Sequence, residues 1–481
     1  MSVKSVRRGR RKAKRVRIGE PDPSLTGRAG LAAVGEFVEK VGMVGAFDEA
    51  IGSIKVRARG ASAGELVVGL AQAQLAGTGY WSGLDQVRAD AVAAEVSAVP
   101  FLASTTAAGL ARRFTAEHIA GIEAGSAQVI ERAVGLLSPQ RREALAGAVT
   151  MDMDSTDVEV FGSDKQGVAY NYCGQRCGRP HVVTWAEAAV TVAADLMAGN
   201  ADVRPVAADL LDRGLAAIPE SIRVAATDAG TLRLRADSGY FAAGLAAAAA
   251  DAGVDFAIAA KRNTALWRAY AGIAADQWTD AIDMDHAQVA TCDYAPARWP
   301  PGTYTIVRRV PVAATDISAD PRARRRRTIP TDQLTLALGG HIDQAYAVSF
   351  IVTNIPTYDN SDDGELITDI EHWFRHRTDI EERIRDAKHG AALRHLPSGK
   401  PELNTVWMWA ALLAINISVL LQAVTGIDDH GRRHGPRLRA ELICIPARRI
   451  HHGRTITWRL PPGQHLLPQV LARIRELPTP A

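Results

Sequence analysis

Three acidic side chains occupy positions from which they could act together. Asp154 closes AVTMDMDSTD, where apolar and polar residues alternate, and Asp237 closes a second such stretch, TLRLRAD. A period of two marks a β-strand, so both aspartates are predicted near strand ends. Glu381 lies on FRHRTDIEERIRDAK, residues 374–388, which contains no Pro or Gly and is followed by Gly390. That composition predicts one continuous α-helix. Hard cations such as Mg²⁺ take oxygen ligands, often a few carboxylates plus substrate phosphate. Two such ions about 4 Å apart can activate an attacking water and stabilise the leaving oxygen of a phosphodiester. A single carboxylate says little in a chain with 53 Asp and Glu. The specificity lies in two strand ends combined with one patterned helix.

On a helix each residue turns by about 100°. Phe374, Arg377, Glu381 and Lys388 therefore share a stripe, with Trp373, Ile380, Ile384, Ala387 and Ala391 forming an apolar stripe beside it. Glu381 sits at the border between them, flanked by two cations, while Glu382 points to solvent. Phosphate chemistry needs such cations to neutralise charge, and Arg377 and Lys388 could supply it. The plainer reading of the helix is an amphipathic surface element laced with ion pairs. Asp152 shares a strand face with Asp154 and is its rival. Asp228, before Ala229 and Gly230, is a weaker rival to Asp237.

The chain has 481 residues, 47% of them apolar, which implies two to four domains with real cores. Net charge is only +3, but the cations cluster. Residues 4–17 carry nine Lys or Arg and no acid, and Arg322–Arg327 form a second group. Such an arm suits contact with nucleic-acid phosphates. Four cysteines make no disulfide framework, and Cys173 and Cys177 lack a partner pair at zinc-finger spacing. No apolar run follows the basic start, so no secretory signal is expected. The apolar run 405–424 approaches membrane-spanning length. Asn416, Ser418 and Gln422 interrupt it, which predicts a buried core helix, no membrane association and a cytosolic protein.

In order, residues 1–20 read as a disordered basic arm and 21–145 as a helical N-terminal domain suited to DNA binding. In the latter, Ser104-Thr105-Thr106 could cap a helix starting near Ala107. Alternating strands and helices over 146–264 predict an α/β layer structure. Prolines and short strands over 265–350 predict a β-rich insertion. Residues 351–430 return to the core with the last catalytic helix and the apolar helix packed behind it. Residues 431–481 read as a basic C-terminal tail with one β-hairpin, and His451 and His452 in it suit DNA or solvent.

The pattern Phe-x2-Arg-x3-Glu-x6-Lys resembles the tyrosine–arginine–glutamate–lysine signature of bacterial insertion-sequence transposases of the DDE class. Phe374 stands where that signature has Tyr, keeping the ring and losing the hydroxyl. MDMDST, LRADSGYF and RTDIEERIRDAKHG, with WMWAALLAINI behind them, are most similar to the insertion sequence thirteen-eighty family. The resemblance runs from about residue 25 to the end. It implies a ribonuclease H-like catalytic core with a β-rich insertion before the last catalytic helix. By position, Asp154, Asp237 and Glu381 match the catalytic, metal-binding acids, with Mg²⁺ as the ion and Mn²⁺ as a possible substitute. Arg377 and Lys388 match the phosphate-contacting pair, with Asp152 and Phe374 as possible supporting residues. The implied function is cleavage of an insertion sequence's ends and their joining to target DNA. The implied partners are double-stranded DNA, as terminal inverted repeats and target, and a second copy of the chain in a nucleoid-associated homodimer. An aromatic residue of the insertion could stack on a flipped base, with Trp267, Trp278 and Trp299 available. Asn171 and Tyr172 could support the site. A repurposed DNA-binding protein, or a nuclease that cuts without joining, are the competing readings.

Overall fold

The computed structural model describes residues 15–55, 59–357, 365–453 and 455–478. Most of the basic arm, residues 1–14, lies outside the described residues. The first strands in the chain are β1 (Leu25–Thr26), β2 (Val149–Ser155), β3 (Val158–Glu159), β4 (Ala169–Tyr170), β5 (Arg176–Trp185) and β6 (Val190–Ala198). Then come β7 (Leu232–Ala236), β8 (Asp255–Ala259), β9 (Thr279–Asp280), β10 (Gln288–Cys292), β11 (Tyr304–Ala313) and β12 (Gln344–Thr353). The last are β13 (Ala447–His452) and β14 (Thr455–Arg459).

Eleven of these strands form one mixed sheet, in the order β3-β5-β2-β7-β8-β12-β11-β10-β9, with β4 and β6 also on β5. The alternating stretches fold as strands, as their period requires. The pairs β2–β7 and β7–β8 are parallel, and β2–β5, β5–β6 and β8–β12 are antiparallel. The parallel register sets Met151 beside Leu234 and Asp152 beside Arg235. Met151 and Met153 are fully buried. The β-rich stretch is continuous with the α/β strands, because β12 adds directly to β8. Helices Ala207–Ala216 and Ala243–Asp251 connect successive strands.

Behind the sheet runs the apolar helix Pro401–Thr425. It is long and apolar enough to cross a membrane, yet 89% of its most apolar window is buried inside the protein. Trp407 and Trp409 are fully buried, and replacing either by Ala would cost about 3–5 kcal/mol. Its polar interruptions are satisfied. Asn416 accepts from the Thr191 N–H at 2.9 Å and donates to the Thr191 carbonyl at 2.8 Å, which pins the helix to β6. The same helix packs on Ala63–Leu75 and Ala116–Gly135 of the helical N-terminal part, so one apolar core spans both. Ser104 begins the helix Ser104–Ala111 instead of capping it, and its hydroxyl donates to Asp85.

The predicted continuous helix over 374–388 is broken. One helix covers Ile367–Arg375 and a second Thr378–Gly390, with Arg377 as the N-cap residue of the second. Between them the backbone bonds shorten to i→i−3: His376 to Trp373, Arg377 to Phe374, and Ile380 to Arg377. Groups from outside the helix bond at the break. The Trp373 carbonyl, which an unbroken helix would give to the Arg377 N–H, accepts from Arg235 Nη1 at 2.6 Å. Arg377 swings instead to Asp154.

Candidate active site

Asp154 is the penultimate residue of β2 and Asp237 immediately follows β7, so two adjacent parallel strands present both carboxylates at their carboxyl ends. Ligand crevices in open α/β sheets form at such ends, beside the strand where the order changes direction. Here that strand is β2, because the chain continues from it to β5 and β6 on one side and then crosses to β7 and β8 on the other. Asp237 caps a short 3₁₀ turn, with its Oδ1 accepting from the Gly239 N–H at 2.8 Å. A Cβ at 239 would lie 2.8 Å from that oxygen, so glycine leaves the carboxylate room.

Asp154, Asp237 and Glu381 line one cleft of about 740 Å³. Arg377 and Lys388 line it too, with Ser155, Thr156 and Tyr172. Arg262, Arg324, Arg327 and Arg385 complete the charge, so six cations face three carboxylates. Asp154 accepts from Arg377 Nη1 at 3.0 Å and from its neighbour, the Ser155 N–H, at 2.7 Å. Burial raises the Asp154 pKa above the ordinary carboxylate range, and Asp237 adds to this against the pull of Arg377. Glu381 is exposed, in the first turn of its helix, where the dipole favours a negative charge. Among the described residues no three His, Cys, Asp or Glu side chains stand close enough together to hold an ion. The acids thus share a cleft without forming a closed ligand cage, and Arg377 occupies one Asp154 oxygen. The all-oxygen donor set suits a hard divalent cation, and two adjacent aspartates raise a charge conflict that such a cation relieves.

Two supporting candidates lie elsewhere. Asp152 is 1% exposed, in a bidentate ion pair with Arg235 at 2.7 and 2.8 Å. Burial pushes its carboxyl up to about 6, against Arg235. Its role is to hold the β7 arginine that reaches Trp373. Phe374 packs against an apolar cluster containing Ile306, Ile351 and Ile370, away from the cleft. Asp228 ends a helix and is exposed. Trp299 meets Phe241 at a tilt and Phe256 edge-to-face, Trp267 meets Phe350 edge-to-face, and Trp278 lies under Arg309. None of the three lines the cleft.

Sequence reasoning missed the supports beneath the acids. Tyr240, 1% exposed, donates its hydroxyl to the Asp154 carbonyl at 3.0 Å and meets His181 Nδ1 at 2.9 Å. With its one proton given to Asp154, Tyr240 must accept from His181 Nδ1–H, which leaves Nε2 bare and without a partner. Burial, helped by Arg179, depresses the His181 pKa to about 4, so the ring is neutral. On the other side, Lys388 donates to the Asp157 carbonyl at 3.0 Å. The Asp157 carboxylate is fixed by Arg179, Asn171 and Cys177. Burial alone would raise its pKa, but those bonds outweigh it and the net shift is down. Asn171 therefore acts through Asp157, while Tyr172 faces the cleft. Cys177 is buried and donates to Asp157, and its thiol is pushed up to about 11. Asn171 was singled out from sequence, Asp157 and Tyr240 were signalled only by proximity to the acids in MDMDSTD and ADSGYF, and Arg179 and His181 had no signal.

The family described as Transposase DDE domain group 1 matches residues 9–319 and 340–479, nearly the whole chain. The chain belongs to that family. It is a DNA transposase of the DDE class, an enzyme acting on DNA, and such enzymes generally use divalent metals. No curated protein matches it. Among solved structures it is similar to a chain of the piggyBac transposase synaptic complex with hairpin DNA, determined by cryo-EM. The identity is 8% and the TM-score 0.40, over 86% of this chain and 79% of that one.

Proposed function

We propose that Asp154, Asp237 and Glu381 are the catalytic acids of this transposase and hold Mg²⁺, with Mn²⁺ able to substitute. The observation that carries the reading is that these three residues, far apart in the chain, line a single cation-rich cleft. When bound, the ions would activate water and stabilise the leaving oxygen. Arg377 and Lys388, on the same wall, steady the phosphates flanking the cut. The Ser155 N–H and the Tyr240 hydroxyl hold Asp154 in place. The DNA is cleaved at terminal inverted repeats, and the freed 3′-hydroxyl joins target DNA.

The antiparallel half β6–β5–β2, joined through β2 to the parallel half β2–β7–β8, supports a ribonuclease H-like core. MDMDST, LRADSGYF and RTDIEERIRDAKHG support placement in the insertion sequence thirteen-eighty family. The division into arm, helical domain, core, β-rich insertion and tail is part of the same proposal. So are a homodimer that pairs two ends and a cytoplasmic, nucleoid-associated location. The test is end cleavage and strand transfer after chelation. Activity should vanish with EDTA and return with Mg²⁺ or Mn²⁺. Full activity under chelation would end the proposal.

A further inference from the structure

Three arginines lining the cleft, on elements other than the helix of Glu381, have no ion pair among the described residues. Arg262 follows β8, and Arg324 and Arg327 lie on the segment between β11 and β12. Arg324 and Arg327 fall between the two stretches that match the family, 9–319 and 340–479, while Arg262 lies within the first. The segment is held by other residues. Arg326 Nη1 donates to the Ser318 and Ala319 carbonyls at 2.9 Å, and Ile329 is buried against Ala337 and Ala345. Arg324 and Arg327 are exposed and receive no carboxylate among the described residues. Among the described residues, Arg262 hydrogen-bonds the Val348 carbonyl alone, at 3.4 Å. Burial, then the charges of Arg324 and Arg327, depress its pKa, as expected of crowded cations without an anion. Three guanidinium groups that no carboxylate pairs among the described residues, in a cleft where six cations outnumber three acids, suit a polyanion, and their forks match phosphate oxygens.

We propose that Arg262, Arg324 and Arg327 form a second phosphate-binding wall that grips the DNA strand being cut, in addition to Arg377 and Lys388. The contacts are to the backbone, so they position the strand without reading its sequence. This rests on the assignment of the acids above, but its test is separate. Affinity for a 30-base-pair duplex of arbitrary sequence is measured against KCl concentration. Each phosphate contact contributes a slope of about 0.9 in log K against log [salt], so R324A/R327A should reduce the slope by about 1.8. R324K/R327K should restore most of it. R322A/R325A, which removes two charges from the same segment outside the cleft, should leave the slope near wild type. An unchanged slope in R324A/R327A, or an equal fall in both alanine pairs, would overturn the wall. Cleavage by Asp154→Asn decides the acids independently: cleavage at the wild-type rate would remove the active-site assignment and leave the slope result standing.

Discussion

Asp152 and Asp154 are two residues apart on one strand face, yet they do different things. Asp152 is sealed against Arg235, and removing its charge leaves a buried guanidinium unpaired. Asp152→Asn should therefore destabilise the fold by about 3–5 kcal/mol in urea titration. Asp154→Asn should instead lower strand cleavage by about 10²- to 10³-fold while the fold persists. The alternation in MDMDS made both aspartates visible. Their separate fates were not, because Arg235 lies 83 residues further on and only the parallel register brings it alongside. His181 gives a pH signature. Its pKa in the folded chain, about 4, lies below its ordinary value, so its stabilising contribution is complete above pH 6.5 and is lost as pH falls through 4. The loss is at most about 3 kcal/mol. Thermal unfolding of His181→Gln between pH 7 and 4 should show a flatter decline than wild type.

The helix Thr378–Gly390 carries Glu381 and Lys388, and its ends are fixed by contacts from distant elements. At its start, Arg235 takes the Trp373 carbonyl and Asp154 takes Arg377. At its end, backbone meets backbone. A Cβ at Gly390 would lie 2.7 Å from both Gly435 Cα and Asp386 Oδ1, while Asp386 also accepts from the Gly435 N–H at 2.6 Å. Gly390→Ala should cost about 1–3 kcal/mol by overpacking and should reduce cleavage, since it displaces Lys388. A normal cleavage rate in a correctly folded Gly390→Ala protein would argue that the helix end does not position the site. The helix that carries Glu381 and Lys388 was legible from spacing, but the single stripe expected through Phe374 and Arg377 was not formed, because Phe374 lies on the preceding helix and Arg377 is the N-cap residue. The break was not legible, because the contacts made at it, Arg235 to the Trp373 carbonyl and Arg377 to Asp154, join residues far apart in the chain. Composition also identified the strands of the β-rich stretch, but not that β12 would pair with β8.

At the scale of the whole molecule, elements early and late in the chain meet. β1 pairs with β13, so the C-terminal hairpin expected from sequence becomes a three-stranded sheet with a strand from the start of the chain. The helix Leu466–Glu476, not anticipated in the tail, packs on Leu31–Lys40, and Arg475 pairs with Glu36. Its Leu467, Val470 and Ile474 are buried, each worth about 1.5–3 kcal/mol. Deleting residues 466–481 should therefore lower the unfolding midpoint of the whole protein, with no independent transition for the N-terminal helices. Their shared core with Pro401–Thr425 makes the helical part and the sheet unfold together.

The most direct measurement is strand transfer with precleaved ends in Mg²⁺, using Asp154→Asn, Asp237→Asn and Glu381→Gln, each checked for native unfolding behaviour. All three should bind DNA and fail to join it, while wild type joins. A folded variant of any of the three that joins ends at the wild-type rate would contradict the shared-cleft assignment.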